Sequence, residues 1–268
     1  MTGAAADRPL ETGWLADTPV ADTLLRQFLH NQAGVNACLA TAKGGRTDSH
    51  DGVLLADARS SVPYFNQAIL TRPLADSQEP ALDRVEQFYE GAGRPATLLS
   101  IWPTPDLSQR GWTLAGHPAF VVRAPAPVDE VARDQVSVRT AESGEDLLVA
   151  ERVLIEGYPM DEAAGEPPGS QLPTALLGSE LVVRIGSLGD QAVATGMNYV
   201  GHGLINLCGG ATLPAARRRG VWEALVWARV SDAPELPAVA YTSDYSRPGF
   251  IRMGFLPFTR FTLWLRHF

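Results

Sequence analysis

The chain has 268 residues, of which 45% are hydrophobic and 19% charged, with a formal net charge of −8. That balance supplies core material for one large or two ordinary globular domains, and the acidic surplus argues against nucleic acid as a partner. No apolar run reaches membrane-span length, and Met1-Thr2-Gly3-Ala4 lacks a basic flank followed by an apolar core, so a cytoplasmic protein with no membrane partner is expected.

Residues 1–18 are small and polar without periodicity and read as a loose arm. Leu24, Leu25, Phe28 and Leu29 give a short amphipathic helix over Val20–Leu29. Thr41–Gly52, rich in Gly, Thr, Ser and Asp, reads as an exposed loop. Strands follow at Val53–Ala56 and Tyr64–Leu70, then a polar connection over Thr71–Glu79. Pro80–Tyr89 is helical, with Pro80 in its first turn and Leu82, Val85, Phe88 and Tyr89 on one face. Thr97–Trp102 reads as a buried strand stopped by Pro103-Thr104-Pro105, and Ala119–Arg123 as another. Ala124-Pro125-Ala126-Pro127 is a stiff joint, where we place a domain boundary.

Beyond it, Val136–Arg139 reads as a strand. Ser143 caps a helix over Gly144–Glu156, with Glu145 and Asp146 in the first turn where the helix dipole favours them. Gly157–Pro173 is a Gly/Pro/acidic loop of a length that is commonly functional. Strands at Leu181–Ile185, Ala192–Val200 and Leu204–Thr212, a helix over Val221–Val230, a strand at Ala238–Thr242, a short helix over Arg247–Met253 and a closing strand over Phe258–Phe268 complete the order. This sequence of elements suits a largely antiparallel sheet ending in a strand–helix–strand crossover. Cys38 and Cys208 lie among apolar neighbours and read as free thiols. The five scattered histidines fit no metal-ligand spacing, so no metal is expected.

One stretch carries chemistry. The strand Leu204–Thr212 contains Gly209-Gly210 and leads through Pro214 and Arg217-Arg218-Arg219-Gly220 into the helix at Val221. First-turn helix N–H groups lack partners and carry partial positive charge, which suits an anion. Three cations at that end oppose the dipole, and a multiply charged anion explains both features. Gly209-Gly210 weakens its strand and predicts a bulge or a close backbone approach. Asn206, polar within an apolar strand, needs a partner, either in a cleft or on a neighbouring strand.

Over residues 136–268 the chain resembles the GCN5-related N-acetyltransferase (GNAT) superfamily, most specifically at Pro214-Ala215-Ala216-Arg217-Arg218-Arg219-Gly220-Val221. Arg217 takes the leading Gln/Arg position of the family's pyrophosphate loop and Gly220 its first glycine. Arg252-Met253-Gly254-Phe255 resembles the family's closing Gly-Phe. Trp222 stands where the family has Gly or Ala; ordinary core packing would turn it toward the sheet.

The resemblance implies a mixed α/β fold with acetyl-CoA as co-substrate. The cofactor would be held along the strand edge at Ala211 and Leu213 and around the loop by Arg217, Arg218, Arg219, Gly220, Val221 and Trp222. The implied reaction moves an acetyl group to the amine of a small molecule by direct attack. The family's thiolate-protonating tyrosine is replaced by Phe250, which makes Tyr245 the substitute donor. Ser243, Asp244 and Ser246 line the same turn. Glu156, Asp161 and Glu162 are the candidate base or amine-holding carboxylates.

A fainter echo lies upstream. Gly111-Trp112 precedes a strand reaching Arg123, as Gly254-Phe255 precedes one reaching Arg266. We therefore read residues 128–268 as a GNAT-like acyl-CoA-binding domain. Residues 1–127 read as an α/β unit that is a degenerate GNAT-like copy, its helix opening with Glu79 and Asp83 in place of the Arg/Gly loop. Such a chain is expected to be a monomer or homodimer. The alternative to an enzyme is a non-catalytic acyl-CoA-binding or scaffold protein; a third reading makes the basic loop a docking patch for an acidic protein.

Overall fold

The computed structural model describes residues 23–50, 52–128, 135–158 and 160–268; the expected arm over residues 1–18 lies outside them. The first helix, α1 (Leu24–Ala42), is capped by Thr23 and runs 19 residues, well past the expected end at Leu29. Its buried face continues through Val35 and Leu39, but Asn31, Gln32 and Asn36 share that face, which breaks the apolar stripe. Next come β1 (Arg46–His50), β2 (Val53–Asp57), β3 (Asn66–Leu70), α2 (Pro80–Tyr89), β4 (Pro95–Ser100), β5 (Thr113–Gly116) and β6 (Ala119–Arg123). The segment expected to be an exposed loop thus contains β1. It is polar on both faces because it is an edge strand with little to bury.

The second half holds β7 (Val136–Thr140), α3 (Gly144–Gly157), β8 (Leu181–Leu188), β9 (Gln191–Gly201), β10 (Leu204–Thr212) and α4 (Val221–Val230). It closes with β11 (Ala238–Thr242), α5 (Arg247–Arg252), β12 (Leu256–Arg260) and β13 (Thr262–His267). Ser143 and Asp146 form the reciprocal capping box at the start of α3. The closing strand expected over 258–268 is two strands in different sheets, broken at buried Phe261.

One sheet has the order β1-β2-β3-β4-β13-β5 and the other β12-β6-β11-β10-β9-β8-β7. Read from β8, the second sheet runs β8-β9-β10-β11-β6-β12, so the two sheets repeat one topology and exchange strands β6 and β13. In each, a helix (α2 or α4) crosses between a parallel strand pair, β3–β4 or β10–β11. Gly111 and Gly254, with φ of 79° and 84°, occupy equivalent turns before β5 and β12.

The exchange welds the halves. Phe28 of α1 packs on Phe120 of β6 and Phe261 beside β13, with ring centroids 4.8 and 5.3 Å apart. Burying each such ring contributes about 1.5–3 kcal/mol. A buried amide chain crosses the same boundary. Asn206 Nδ2 donates to Gln32 Oε1 (2.9 Å), Gln32 Nε2 to Asn36 Oδ1 (3.1 Å), and Asn36 Nδ2 to Gln67 Oε1 (3.1 Å). Gln67 Nε2 then donates to Thr97 Oγ1 at 3.2 Å. Asn206 thus finds its partner on a helix of the other half, not on a neighbouring strand or in an open cleft.

Candidate functional site

Strands β10 and β11 pair at Ile205–Ala238 and Asn206–Val239, and beyond those positions they no longer pair. On its other edge β10 loses register with β9 between Cys208 and Ala211, the bulge that the glycine pair announces. Gly209 is left-handed (φ 56°), a conformation that strains any residue with a Cβ, and a Cβ there would also displace the Met197 methyl at 2.2 Å. The equivalent ladder in the first half, β2–β3, runs through its registers without a shift.

Arg229, 1% exposed, fills the irregularity. Its Nη1 donates to Met197 O (3.2 Å) and Cys208 O (3.3 Å), and its Nε to Leu225 O (3.2 Å). These bonds satisfy carbonyls of β9 and β10 at the irregularity. Burial without an adjacent carboxylate bond among the described residues lowers the guanidinium pKa to about 10, so it remains charged at neutral pH. The neighbouring Cys208 thiol is pushed up to about 12, chiefly by burial.

After β10 a 3-10 turn (Pro214–Ala216) leads into the arginines. Arg217 turns back: its guanidinium donates to Thr212 O (3.2 Å) and Gly157 O (3.0 Å), tying the loop to the end of α3. Arg218 (φ 60°) and Gly220 (φ 85°) are left-handed, and Gly220 is the N-cap of α4 with no side-chain cap. Arg218 and Arg219 are exposed and make no hydrogen bond or ion pair to another described residue. The result is an uncapped helix N-terminus beside two available guanidinium groups, an arrangement suited to a phosphate.

The remaining expected residues fall in different places. Val221 is buried under the sheet and Ala211 is buried against β9, while Leu213 N–H is committed to Val193 O at 2.8 Å. Trp222 is half-buried and leans across to α5, its ring 4.9 Å from Phe250 and edge-on to it. Phe250 is 5% exposed, whereas Tyr245 is 99% exposed. Ser243 and Ser246 hydroxyls bond one another at 3.2 Å, and Asp244 pairs with Arg260 at 2.6 Å. Glu156 lies on the outer face of α3, ion-paired with Arg152 at 3.4 Å, and Asp161 and Glu162 are exposed.

On the face of β10 and β11 toward α1, the structure gathers a group that sequence reading missed. Tyr241 interacts with Gln67 and lies near Cys208, Tyr64 and Tyr158; burial raises its pKa strongly. Tyr158, at the C-cap of α3, interacts with Tyr64 of the first half, and burial followed by that neighbour raises its pKa too. These hydroxyls therefore stay protonated at neutral pH. Each tyrosine sits at or near the end of its own element, and only the tertiary fold unites them.

The loop after Tyr158 is anchored by Glu151. Its carboxylate, 3% exposed, accepts from the N–H groups of Gly169 (2.7 Å), Gln171 (2.9 Å) and Leu172 (2.6 Å). Glu151 occupies the Leu147–Leu154 stripe, so an acid among apolar helix positions was the available signal.

No protein-family model and no curated protein matches the sequence. Solved structures do match. A GCN5-related N-acetyltransferase from Kribbella flavida has a TM-score of 0.63 at 17% identity, over 89% of this chain and 95% of that one. A GNAT-family protein from Novosphingobium aromaticivorans has a TM-score of 0.56 at 13% identity, over 88% and 97%. A conserved protein of unknown function from Staphylococcus epidermidis has a TM-score of 0.61 at 12% identity, over 84% and 95%. The fold is that of the GNAT superfamily, and the likeness spans both halves of the chain.

Proposed function

We propose that the chain is an acyl-CoA-dependent N-acyltransferase that takes acetyl-CoA as co-substrate and the amine of a small molecule as acceptor. The observation that carries this reading is the parting of β10 from β11 beyond Asn206 beside the glycine bulge at Cys208–Ala211, with an uncapped helix N-terminus following across the arginine loop. Residues that would hold the cofactor fit it chemically. The first-turn N–H groups of α4 and the guanidinium groups of Arg218 and Arg219 suit its pyrophosphate, and Gly220 lets the main chain come close. Arg217 acts indirectly, by holding the loop to α3. Bound acetyl-CoA supplies an acyl thioester for attack by the amine.

The residues of the chain then position and protonate. The Tyr64, Tyr158 and Tyr241 hydroxyls lie on the opposite face of the parting strands and can orient an amine by hydrogen bonding. Glu156, paired with Arg152 on the outer face of α3, and the exposed Asp161 and Glu162 are the acids that could meet a cationic acceptor arriving from solvent. Phe250 supplies no proton, which leaves solvent or the exposed Tyr245 hydroxyl as the source. A second reading, acyl-CoA binding without transfer, draws on the buried Phe250 and the tryptophan packed on it.

A thiol-release assay with acetyl-CoA and a panel of primary amines tests the reading. Amine-dependent release that Gly220→Val abolishes supports transfer, and loss of release in Tyr245→Phe assigns the proton to Tyr245. A thermal shift with acetyl-CoA but no release across the panel supports binding alone.

A further inference from the structure

The helices α4 and α5 lie on the same face of the second sheet and share one apolar cluster with β10 and β11, through Val226, Val230, Phe250, Ile205 and Ala240. The seam between the two helices therefore lies over the place where β10 and β11 part, with the arginine loop at the N-terminal end of α4. Trp222, in the first turn of α4, crosses it. A Cβ added at Gly249 of α5 would lie 2.7 Å from Trp222 Cζ3 and 2.9 Å from Cη2, so the six-membered ring rests on the α5 backbone. A Cβ added at Gly210 would lie 3.9 Å from Trp222 Nε1 and 3.5 Å from Arg229 Nη2, so the other end of the indole reaches the bulge. Phe250 closes against the ring at 4.9 Å and 81°. The side chain thus spans two glycines, one on α5 and one in the β10 bulge.

A second observation comes from the strand ends. The Thr212 and Thr242 hydroxyls, at the ends of β10 and β11, are buried and have no hydrogen-bond partner among the described residues. Thr242 continues the alternation of Ala238 and Ala240, which face α4 and α5, so its hydroxyl lies on the side of those helices. Buried hydroxyls without a partner are costly, and a chain of ligand amides along the strand ends would satisfy them.

We propose that Trp222 is a gate: its indole closes the seam over the parting strands, and a pantetheine-type arm enters only when the ring swings away from Gly249 and Phe250. This inference rests on the acyl-CoA reading of the same site. A closed majority state lowers the apparent affinity for any ligand that needs the seam, but leaves untouched a ligand that needs only the loop.

The test is calorimetric titration of acetyl-CoA, and separately of ADP, into wild type, Trp222→Ala and Trp222→Phe. ADP carries the pyrophosphate without the arm. The gate predicts that acetyl-CoA binds Trp222→Ala about tenfold more tightly than wild type while ADP binds both alike. It also predicts a tryptophan fluorescence change at saturation in wild type that is lost in Trp222→Phe, a readout that stands even if Trp222→Ala folds poorly. Equal acetyl-CoA affinity in wild type and Trp222→Ala overturns the gate and leaves the acyl-CoA reading intact. An equal gain for ADP also overturns it, placing the effect at the loop. No binding of either ligand to any of the three proteins overturns both.

Discussion

Gly249 offers a stability test of the Trp222 placement that needs no ligand. It is buried in α5, and its substitution by alanine brings two opposed effects. Alanine in a helix interior is favoured over glycine by about 1 kcal/mol. Against this, the new Cβ meets the Trp222 ring at 2.7 and 2.9 Å, inside any ordinary carbon contact. Overpacking of this kind costs about 1–3 kcal/mol. With a mid-range clash of about 2 kcal/mol, Gly249→Ala destabilises wild type by about 1 kcal/mol, which lowers Tm by roughly 2–4 °C in a chain of this size. With Trp222→Ala already present the clash is gone, and the same change stabilises by about 1 kcal/mol. The double-mutant cycle therefore carries a coupling of about 2 kcal/mol, measurable by urea denaturation of the four proteins. Additive effects, with Gly249→Ala costing the same in both backgrounds, would refute the placement of the indole on α5.

Other parts of the structure are open to similar tests. Glu151→Gln exchanges one of two oxygens receiving backbone N–H groups for an N–H donor, and the expected loss is about 2–3 kcal/mol, with faster proteolysis between residues 158 and 173; unchanged stability would contradict the clamp. Asp146 is held well below the usual carboxylate range, first by Arg139 and then by the backbone of Glu142. Its folded pKa is depressed, so its contribution is present above the unfolded value near pH 4 and fades as pH falls further. Asp146→Asn should therefore be less stable than wild type at pH 7 and show a flatter decline between about pH 4 and pH 2; parallel curves would argue against the pairing. With its pKa pushed up to about 12, Cys208 should hold roughly one thiolate in ten thousand at pH 8 and alkylate only on unfolding. Mass spectrometry after iodoacetamide treatment reads this, and rapid native labelling would refute it.

The local features of the site were readable in the sequence because each rests on local chemistry. A glycine pair inside an apolar strand gave the bulge, and the Arg/Gly stretch before an apolar run gave the start of α4, although the left-handed turn at Gly220 appears only in the structure. Which of three consecutive arginines turns inward was not readable. The loop path decides it, and Arg217 meets the carbonyl of Gly157 from a distant helix. Arg229 lies on the buried side of α4 with Leu225 and Val226, so a charge in an apolar stripe was a visible but unread signal.

The length of α1 was hidden because Asn31, Gln32 and Asn36 are buried for their hydrogen bonds to Gly201, Asn206 and Gln67, all far away in sequence. The strand β1 was hidden because an edge strand with both faces wet has no alternation to show. The exchange of β6 and β13 leaves no local trace, since a strand reads the same whichever sheet receives it. The paired Gly111 and Gly254 turns nevertheless mark the equivalent segments, β5–β6 and β12–β13, whose second strands are exchanged.

The central claim is that the bulge and the uncapped start of α4 form an acyl-CoA site. A calorimetric titration of acetyl-CoA into the full chain at low salt tests it most directly. The account predicts saturable binding to one site, weakened about tenfold or more in Arg218→Ala/Arg219→Ala, because charge-assisted contacts of about 1.5–3 kcal/mol are lost. Absence of saturable heat and of any thermal shift at millimolar acetyl-CoA would contradict it.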